Sequence, residues 1–207
     1  MTMRSCISIT CAGCRAPQAQ GYARRTHRRR NDDQLQGSYI VIHPFGSSSW
    51  KSFPPRRVRE LLTELAASEP ELSFVITGGP ENAEQAEAIV AGMPRTSVAA
   101  GLPIRHAAAI LRDAVLYVGV DTGTTHLAAL MQQNVIALEH NASPEWLPTY
   151  DPHAVILTNR DDCACQGRKN GECKVIEDGL PYHRCLYEIS DASIQEAVER
   201  MLAANKA

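Results

Sequence analysis

Short apolar runs alternate along the chain with longer stretches in which apolar residues recur at helical spacing. The short runs are continuous rather than alternately apolar and polar, which is typical of strands buried on both faces of a parallel sheet. They predict strands over residues 38–44, 72–79, 96–101, 115–120, 134–139 and 153–158. The helical spacing predicts helices over residues 56–68, 81–93, 103–114, 125–133 and 193–204. This alternation predicts an α/β fold with a Rossmann-like open parallel sheet.

The first 37 residues differ in charge from the rest of the chain. They hold seven arginines against two aspartates, an excess of about five positive charges, whereas the whole chain has a formal net charge of −2. Because this segment is poor in apolar residues, we predict that residues 1–37 are disordered or not native, and that residues 38–207 form one domain. The segment lacks interleaved aromatic residues and an amphipathic period, so we do not expect it to bind nucleic acid.

The chain shows no sequence signal for export or for membrane insertion. No apolar stretch of roughly 7–15 residues follows the first arginine, as a secretory signal would require. No apolar run reaches the roughly 18 residues that suggest a membrane-spanning helix. We therefore predict a cytoplasmic protein.

The segment "VGVDTGTTHLAAL", residues 118–130, joins a predicted strand to a predicted helix. Asp121 stands at the strand end, where ligands of open parallel sheets bind, and its carboxylate could accept hydrogen bonds from sugar hydroxyls. The first helical turn holds Thr124, Thr125 and His126, and unpaired amides at such a turn attract anions such as phosphate. The alternative is that Asp121 or Thr122 only caps the helix.

Two further loops follow predicted strands. In "HPFGSSSWKSFP", residues 43–54, Lys51 could pair with a phosphate, or it could be an ordinary surface lysine. In "TGGPENAEQ", residues 77–85, Glu81 could bind ribose hydroxyls, or the segment could be only a turn before a helix. Because all three loops fall at the carboxyl ends of strands, together they indicate a site for a nucleotide with a sugar attached.

Four segments in this order resemble the heptosyltransferase-like glycosyltransferases of family 9. They are "IVIHPFGSSSWKSFP", "FVITGGPENAEQA", "AGLPIRHAAAILRDAVLYVGVDTGTTHLAAL" and the cysteine-containing region near the C-terminus. The resemblance covers residues 38–205 and implies one half of a GT-B architecture, the C-terminal domain that binds the donor. It further implies a nucleotide-sugar donor such as ADP-heptose, the lipopolysaccharide core as acceptor, and a cytoplasmic site of action that allows a peripheral position at the inner membrane.

The resemblance also implies roles for single residues. Asp121 would contact the donor sugar, Lys51 would pair with the phosphates, and Glu81 would lie at the ribose. The diphosphate would be held by Thr122, Gly123, Thr124, Thr125 and His126. The related enzymes are metal-independent, so no cofactor is expected to be required for transfer.

The chain departs from the family pattern in three places. Phe45 is inserted between Pro44 and Gly46, where the family has His-Pro-Gly, and Thr124 replaces a proline. Residues 1–37 are too short to form the family's N-terminal domain, which binds the acceptor and supplies the catalytic base. We therefore expect no catalytic base in this sequence. The alternative function is an inactive nucleotide-sugar-binding fragment without an acceptor domain.

Seven cysteines form two groups, and the second group comprises Cys163, Cys165, Cys173 and Cys185. Four thiolates could hold a structural zinc ion, but this spacing is looser than that of a zinc ribbon. The sequence therefore leaves three states open for this group: a zinc site, reduced thiols or disulfides.

Overall fold

A computed structural model describes residues 37–131, 134–140, 146–159 and 173–204, which all lie within one compact unit of residues 31–207. Residues 1–36 lie outside the described part, so the predicted disorder of the basic segment and the predicted boundary at residue 37 stay predictions. Among the described helices, none combines the length and the apolar character needed to cross a bilayer.

Six parallel strands form one sheet in the order β3-β2-β1-β4-β5-β6. The strands are β1 (Tyr39–His43), β2 (Ser73–Gly78), β3 (Thr96–Ala100), β4 (Leu116–Val120), β5 (Val135–Glu139) and β6 (Val155–Thr158). Every predicted strand is present, and the order is that of a Rossmann sheet. The predicted fold class is therefore confirmed.

The helices connect and flank these strands. They are α1 (Pro55–Ser68), α2 (Ala83–Val90), α3 (Ile104–Asp113), α4 (Gly123–Met131), α5 (Arg184–Tyr187) and α6 (Asp191–Ala204). Single turns of 3₁₀ helix, Ser49–Lys51 and Pro80–Asn82, precede α1 and α2. All predicted helices are present with small shifts at their ends, whereas the four-residue α5 was not predicted.

The sheet is buried on both faces, which explains its continuous apolar strands. One face packs against α1, α2 and α6 in a cluster that contains Ile40, Leu62 and Ile194. The other face packs against α3 and α4 in a smaller cluster that contains Val41 and Leu111. At about 25 cal/mol per Å² of apolar surface removed from water, this burial is the main term that stabilises the domain.

An antiparallel hairpin follows the sheet. It consists of β7 (Lys174–Glu177) and β8 (Leu180–His183), joined by Asp178 and Gly179. Both joining residues have positive φ, 51° and 76°, which defines a tight hairpin turn. This hairpin was not predicted from the sequence.

Candidate functional site

Three loops at the carboxyl end of the parallel sheet surround one cavity of about 390 Å³. The loops follow β1, β2 and β4, and thus flank the point between β1 and β4 from which the sheet extends in both directions. Open α/β sheets bind ligands at this point. The cavity is lined by His43, Phe45, Gly46, Ser47, Lys51, Gly79, Glu81, Asn82, Asp121, Thr122, Gly123 and Thr124.

Six of the eight predicted site residues line this cavity. They are Lys51, Glu81, Asp121, Thr122, Gly123 and Thr124, which come from three loops far apart in sequence. Some lining residues were not predicted from the sequence, among them Ser47 and Asn82. Both lie within the quoted loops, but a serine or an asparagine in a loop carries no charge or spacing that distinguishes it.

The loop after β1 is held together by hydrogen bonds between its own residues and carries Lys51 at the end of a 3₁₀ turn. The Gly46 amide donates to Ser52 Oγ at 2.9 Å, and Ser52 Oγ donates to the Ser48 carbonyl at 2.8 Å. A Cβ atom on Gly46 would lie only 2.6 Å from the Cβ of Lys51. Only glycine therefore permits this close approach, which brings Lys51 to the cavity.

Phe45, the inserted residue of this loop, is 5% exposed and belongs to the core cluster below the cavity. Its ring lies against Gly78 at the end of β2, where an added Cβ atom would approach the ring to 2.8 Å. The inserted Phe45 thus fills the space between the first two loops of the site with an apolar ring. The pairing of β1 with β2 remains regular.

The loop after β2 carries Glu81 on the 3₁₀ turn. The Gly79 amide donates to Asn82 Oδ1 at 3.0 Å, which fixes this turn at the start of α2. A Cβ atom on Gly79 would lie 2.5 Å from Cδ of Glu81, so glycine leaves room for the carboxylate. Glu84, one turn later, is exposed and lies outside the cavity lining.

The loop after β4 places a carboxylate beside a helix N-terminus. Helix α4 begins at Gly123, and the amides of Thr125 and His126 donate to the Thr122 carbonyl at 3.0 and 3.4 Å. Gly123 and Thr124 of the first turn line the cavity. Unpaired amides at the first turn of a helix attract an anion.

Asp121 is half-buried at the end of β4. Burial raises the pKa of its carboxyl group, whereas His126 and Lys51 act in the opposite direction. The ammonium of Lys51 favours the charged form of this carboxylate. The cavity therefore contains groups for both an anion and a hydroxyl-bearing ligand.

The side chains of Thr125 and His126 lie outside the cavity lining. Thr125 Oγ1 is fully buried and donates to the Val120 carbonyl at 2.5 Å. His126 lies with Nε2 3.0 Å from the Trp146 carbonyl oxygen and Nδ1 3.2 Å from the Tyr150 hydroxyl. Thr125 thus stabilises the turn and His126 holds the segment after β5. Their predicted backbone contacts with a diphosphate stay a prediction.

The family model for glycosyltransferase family 9 (heptosyltransferase) matches residues 10–176 of the chain. The chain belongs to glycosyltransferase family 9. The family resemblance read from the sequence is therefore confirmed, and the match begins well before residue 38, from which the resemblance was predicted to extend.

Known members of family 9 are similar to this chain over only part of their own length. Lipopolysaccharide heptosyltransferase 1 of Escherichia coli O18:K1:H7 (strain RS218 / NMEC) is 28% identical over 167 residues, 80% of this chain and 51% of the relative. The chain thus spans about half the length of this curated relative.

Solved heptosyltransferases share the fold. The structure of E. coli ADP-heptose lipopolysaccharide heptosyltransferase II superposes with a TM-score of 0.66 at 20% identity, covering 82% of this chain and 48% of that chain. E. coli heptosyltransferase WaaC with ADP gives a TM-score of 0.60 at 20% identity, covering 80% and 44%. The Rossmann-like domain is therefore the part that this family 9 chain shares with these glycosyltransferases.

Two of the four C-terminal cysteines of this family 9 chain can be placed. Cys173 precedes β7 and Cys185 follows β8, and their buried side chains form a small cluster at the base of the hairpin. Cys163 and Cys165 lie outside the described residues. Within the described ranges, no group of three or more His, Cys, Asp or Glu side chains is arranged to hold a metal ion. The zinc hypothesis, which needs all four cysteines, stays a prediction.

Proposed function

We propose that this chain is the donor-binding domain of a heptosyltransferase-like glycosyltransferase that takes ADP-heptose or a similar nucleotide-sugar. Its acceptor is the lipopolysaccharide core, and it acts in the cytoplasm or peripherally at the inner membrane. The observation that carries the proposal is that loops 43–54, 77–85 and 118–130 meet at one cavity beside a helix N-terminus. The names of the related proteins, ADP-heptose lipopolysaccharide heptosyltransferase II among them, support the choice of donor.

In this proposal the diphosphate lies between Lys51 and the N-terminus of α4. A nucleoside diphosphate leaving group gains negative charge as its bond to the sugar breaks. The Lys51 ammonium and the oriented amides of the helix N-terminus stabilise that charge. Transfer on this route requires no cofactor, because Lys51 and the α4 amides supply the stabilising positive charge.

Two carboxylates of the cavity bind the sugar parts of the donor. Glu81 accepts hydrogen bonds from ribose hydroxyls, and Asp121 accepts them from the transferred sugar. Both residues line the cavity, Glu81 from the loop after β2 and Asp121 from the loop after β4. A carboxylate binds a hydroxyl with a charge-assisted hydrogen bond, which is stronger than a neutral one.

The transfer itself needs a base outside this site. In the proposed reaction an acceptor hydroxyl attacks the anomeric carbon, its proton passes to a base, and the bond to the nucleoside diphosphate breaks. The base and the acceptor site belong to an N-terminal domain of the kind that the family possesses. A chain that binds the donor without transferring it would instead be a nucleotide-sugar-binding module.

Calorimetric titration of the full chain with ADP, UDP, GDP and ADP-heptose tests the proposal. We expect ADP to bind more tightly than UDP or GDP, and ADP-heptose more tightly than ADP. Lys51→Ala should weaken both ADP and ADP-heptose by about tenfold to a hundredfold, since a hydrogen bond to a charged group contributes about 1.5–3 kcal/mol. Asp121→Asn should remove the advantage of ADP-heptose and leave ADP affinity unchanged.

Glu81→Gln and Glu84→Gln form a matched pair, because the two carboxylates stand three residues apart and only Glu81 lines the cavity. Weaker ADP binding by the first variant alone supports the ribose contact. A folded wild-type chain that binds none of these nucleotides contradicts the proposed function. Binding without sugar transfer to a heptose-deficient lipopolysaccharide core identifies the binding module.

A further inference from the structure

Three aromatic rings from distant parts of the chain contact one another next to Lys51. The ring centroids of Trp50 and His183 lie 5.2 Å apart with the ring planes tilted by 60°, and those of His183 and His140 lie 5.3 Å apart in a stacked arrangement. Trp50 belongs to the 3₁₀ turn after β1, His140 follows β5, and His183 ends β8. We call these three side chains the ring stack.

The ring stack adjoins Lys51. Trp50 directly precedes Lys51 in the same short turn, and the positive charge of Lys51 acts on both His140 and His183. Burial, together with His183 and Lys51, lowers the pKa of His140 to about 4, and burial and Lys51 also lower the pKa of His183. Both imidazoles are therefore neutral near pH 7, and the ring stack adds no second positive charge next to the lysine.

The hydrogen bonds inside the loop after β1 do not fix its position on the sheet. The bonds among Gly46, Ser48 and Ser52 join loop residues to one another and set the shape of the loop. The Trp50 ring of this loop contacts the hairpin at His183. The buried rings of Phe45 and Phe53 hold the two ends of this loop in the core, and the ring stack holds the turn between them, which carries Lys51.

A second contact holds the hairpin to the segment after this turn. Arg56, at the start of α1, donates to Glu177 of β7 at 3.0 Å and to the Tyr187 hydroxyl at 2.8 Å. The Tyr187 hydroxyl in turn donates to Glu177 at 2.7 Å. The hairpin thus contacts the chain on both sides of Lys51, through Trp50 before it and through Arg56 after it.

We infer that the hairpin positions Lys51, with His183 acting through Trp50 as a positioning residue for the donor diphosphate. The inference rests on the proposed function and extends it to a residue outside the cavity lining. His183 acts by its ring shape, because its contact with Trp50 is ring against ring and Lys51 already provides the charge.

Nucleotide binding by His183 variants tests this positioning role. We expect His183→Ala to weaken ADP by about fivefold and to leave adenosine unchanged, since only the phosphates contact Lys51. His183→Phe, which keeps a ring against Trp50, should bind ADP as the wild type does. In a Lys51→Ala background, His183→Ala should have no further effect. Leu180→Ala, at an exposed position of the same strand, is the matched control and should change nothing.

A second readout does not depend on nucleotide binding. The rate at which the Lys51 amine reacts with an acylating reagent, measured by mass spectrometry, should change in His183→Ala and not in His183→Phe or Leu180→Ala. A lysine-containing peptide added to each reaction serves as the reference, because Lys174 lies opposite His183 in the hairpin. A wild type that binds no ADP while Lys51 reactivity responds in this way contradicts the proposed function and supports the positioning role.

Three results overturn the inference alone. The first is unchanged ADP affinity and Lys51 reactivity in a folded His183→Ala variant. The second is a loss in His183→Phe equal to that in His183→Ala, which would show that the imidazole itself contacts phosphate. The third is additive loss in the double variant, which would show that His183 acts independently of Lys51.

Discussion

His43 occupies the last position of β1 and is almost completely buried beside the cavity. Its Nδ1 atom lies 3.0 Å from Thr77 Oγ1. Burial lowers the pKa of this histidine from 6.5 to about 4, against a smaller opposing contribution from Thr77. An unfolded chain therefore binds a proton at His43 below about pH 6.5, whereas the folded chain does so only near pH 4.

This difference makes stability depend on pH in a definite direction. As the pH falls from about 7 to about 5, His43 should reduce the free energy of unfolding by about 2 kcal/mol, because the unfolded state takes up the proton first. Urea titrations at several pH values should show that His43→Asn removes this part of the pH dependence. His153→Asn, at an exposed position, should leave it as in the wild type; a pH dependence unchanged by His43→Asn would contradict the assignment.

At the level of single residues, the sequence predicted position better than orientation. Asp121 follows a strand and Gly123 begins the next helix. In an open parallel sheet, this position lies at the ligand site whatever the direction of the individual side chains. Thr125 and His126 stand two and three residues beyond Gly123. Their side-chain directions depend on Tyr117, Trp146 and Tyr150, which pack against them from elsewhere in the fold.

Among the elements, the strands of the sheet and the helices that cover it were predictable from their apolar residues. These residues form continuous runs in the buried strands and recur at helical spacing in the helices. The hairpin β7–β8 has four residues in each strand and one half-buried face, so its apolar pattern is weak. Its one strong signal is Asp178-Gly179, a pair that favours positive φ at both positions of a tight turn. That pair, and not hydrophobicity, could have revealed the hairpin.

Arg57 joins the first and last helices of the domain. Its guanidinium donates to the carbonyls of Tyr187 and Ile189 and lies 2.6 Å from Asp191, the first residue of α6. It is largely buried and also stacks over the ring of Phe53. These contacts fix the start of α6, whose apolar residues cover one face of the sheet.

Removal of Arg57 should therefore destabilise the domain strongly. We expect Arg57→Ala to lower the free energy of unfolding by about 2–4 kcal/mol, because it leaves two carbonyls and a partly buried carboxylate without their partner. Arg112→Ala breaks an Arg–Asp pair that is mostly exposed and should cost less than about 1 kcal/mol. Chemical denaturation of both variants measures the difference, and equal losses would show that burial of the Arg57 contacts adds nothing.

At the scale of the whole molecule, the domain and its proposed ligand both carry negative charge. Since the first 37 residues hold an excess of about five positive charges within a total of −2, residues 38–207 carry about seven negative charges. The proposed donor is itself an anion, so the long-range field of the domain does not favour its approach. Affinity must arise from local groups, which at the cavity are the Lys51 ammonium and the amides that begin α4.

Two carboxylates in the same cavity, Glu81 and Asp121, raise the question of whether a divalent cation bridges them to the diphosphate. The two possibilities predict opposite responses to a chelator. If Lys51 and the α4 amides hold the phosphates, EDTA at constant ionic strength should leave ADP affinity unchanged in the wild type, and Lys51→Ala should bind weakly with or without Mg²⁺. If the carboxylates were metal ligands, EDTA would abolish ADP binding, and Asp121→Asn would reproduce its effect. Calorimetry of the wild type, Lys51→Ala and Asp121→Asn with and without Mg²⁺ distinguishes the two possibilities. It decides whether this acidic domain binds an anionic donor through Lys51 and the N-terminus of α4, or through a metal ion.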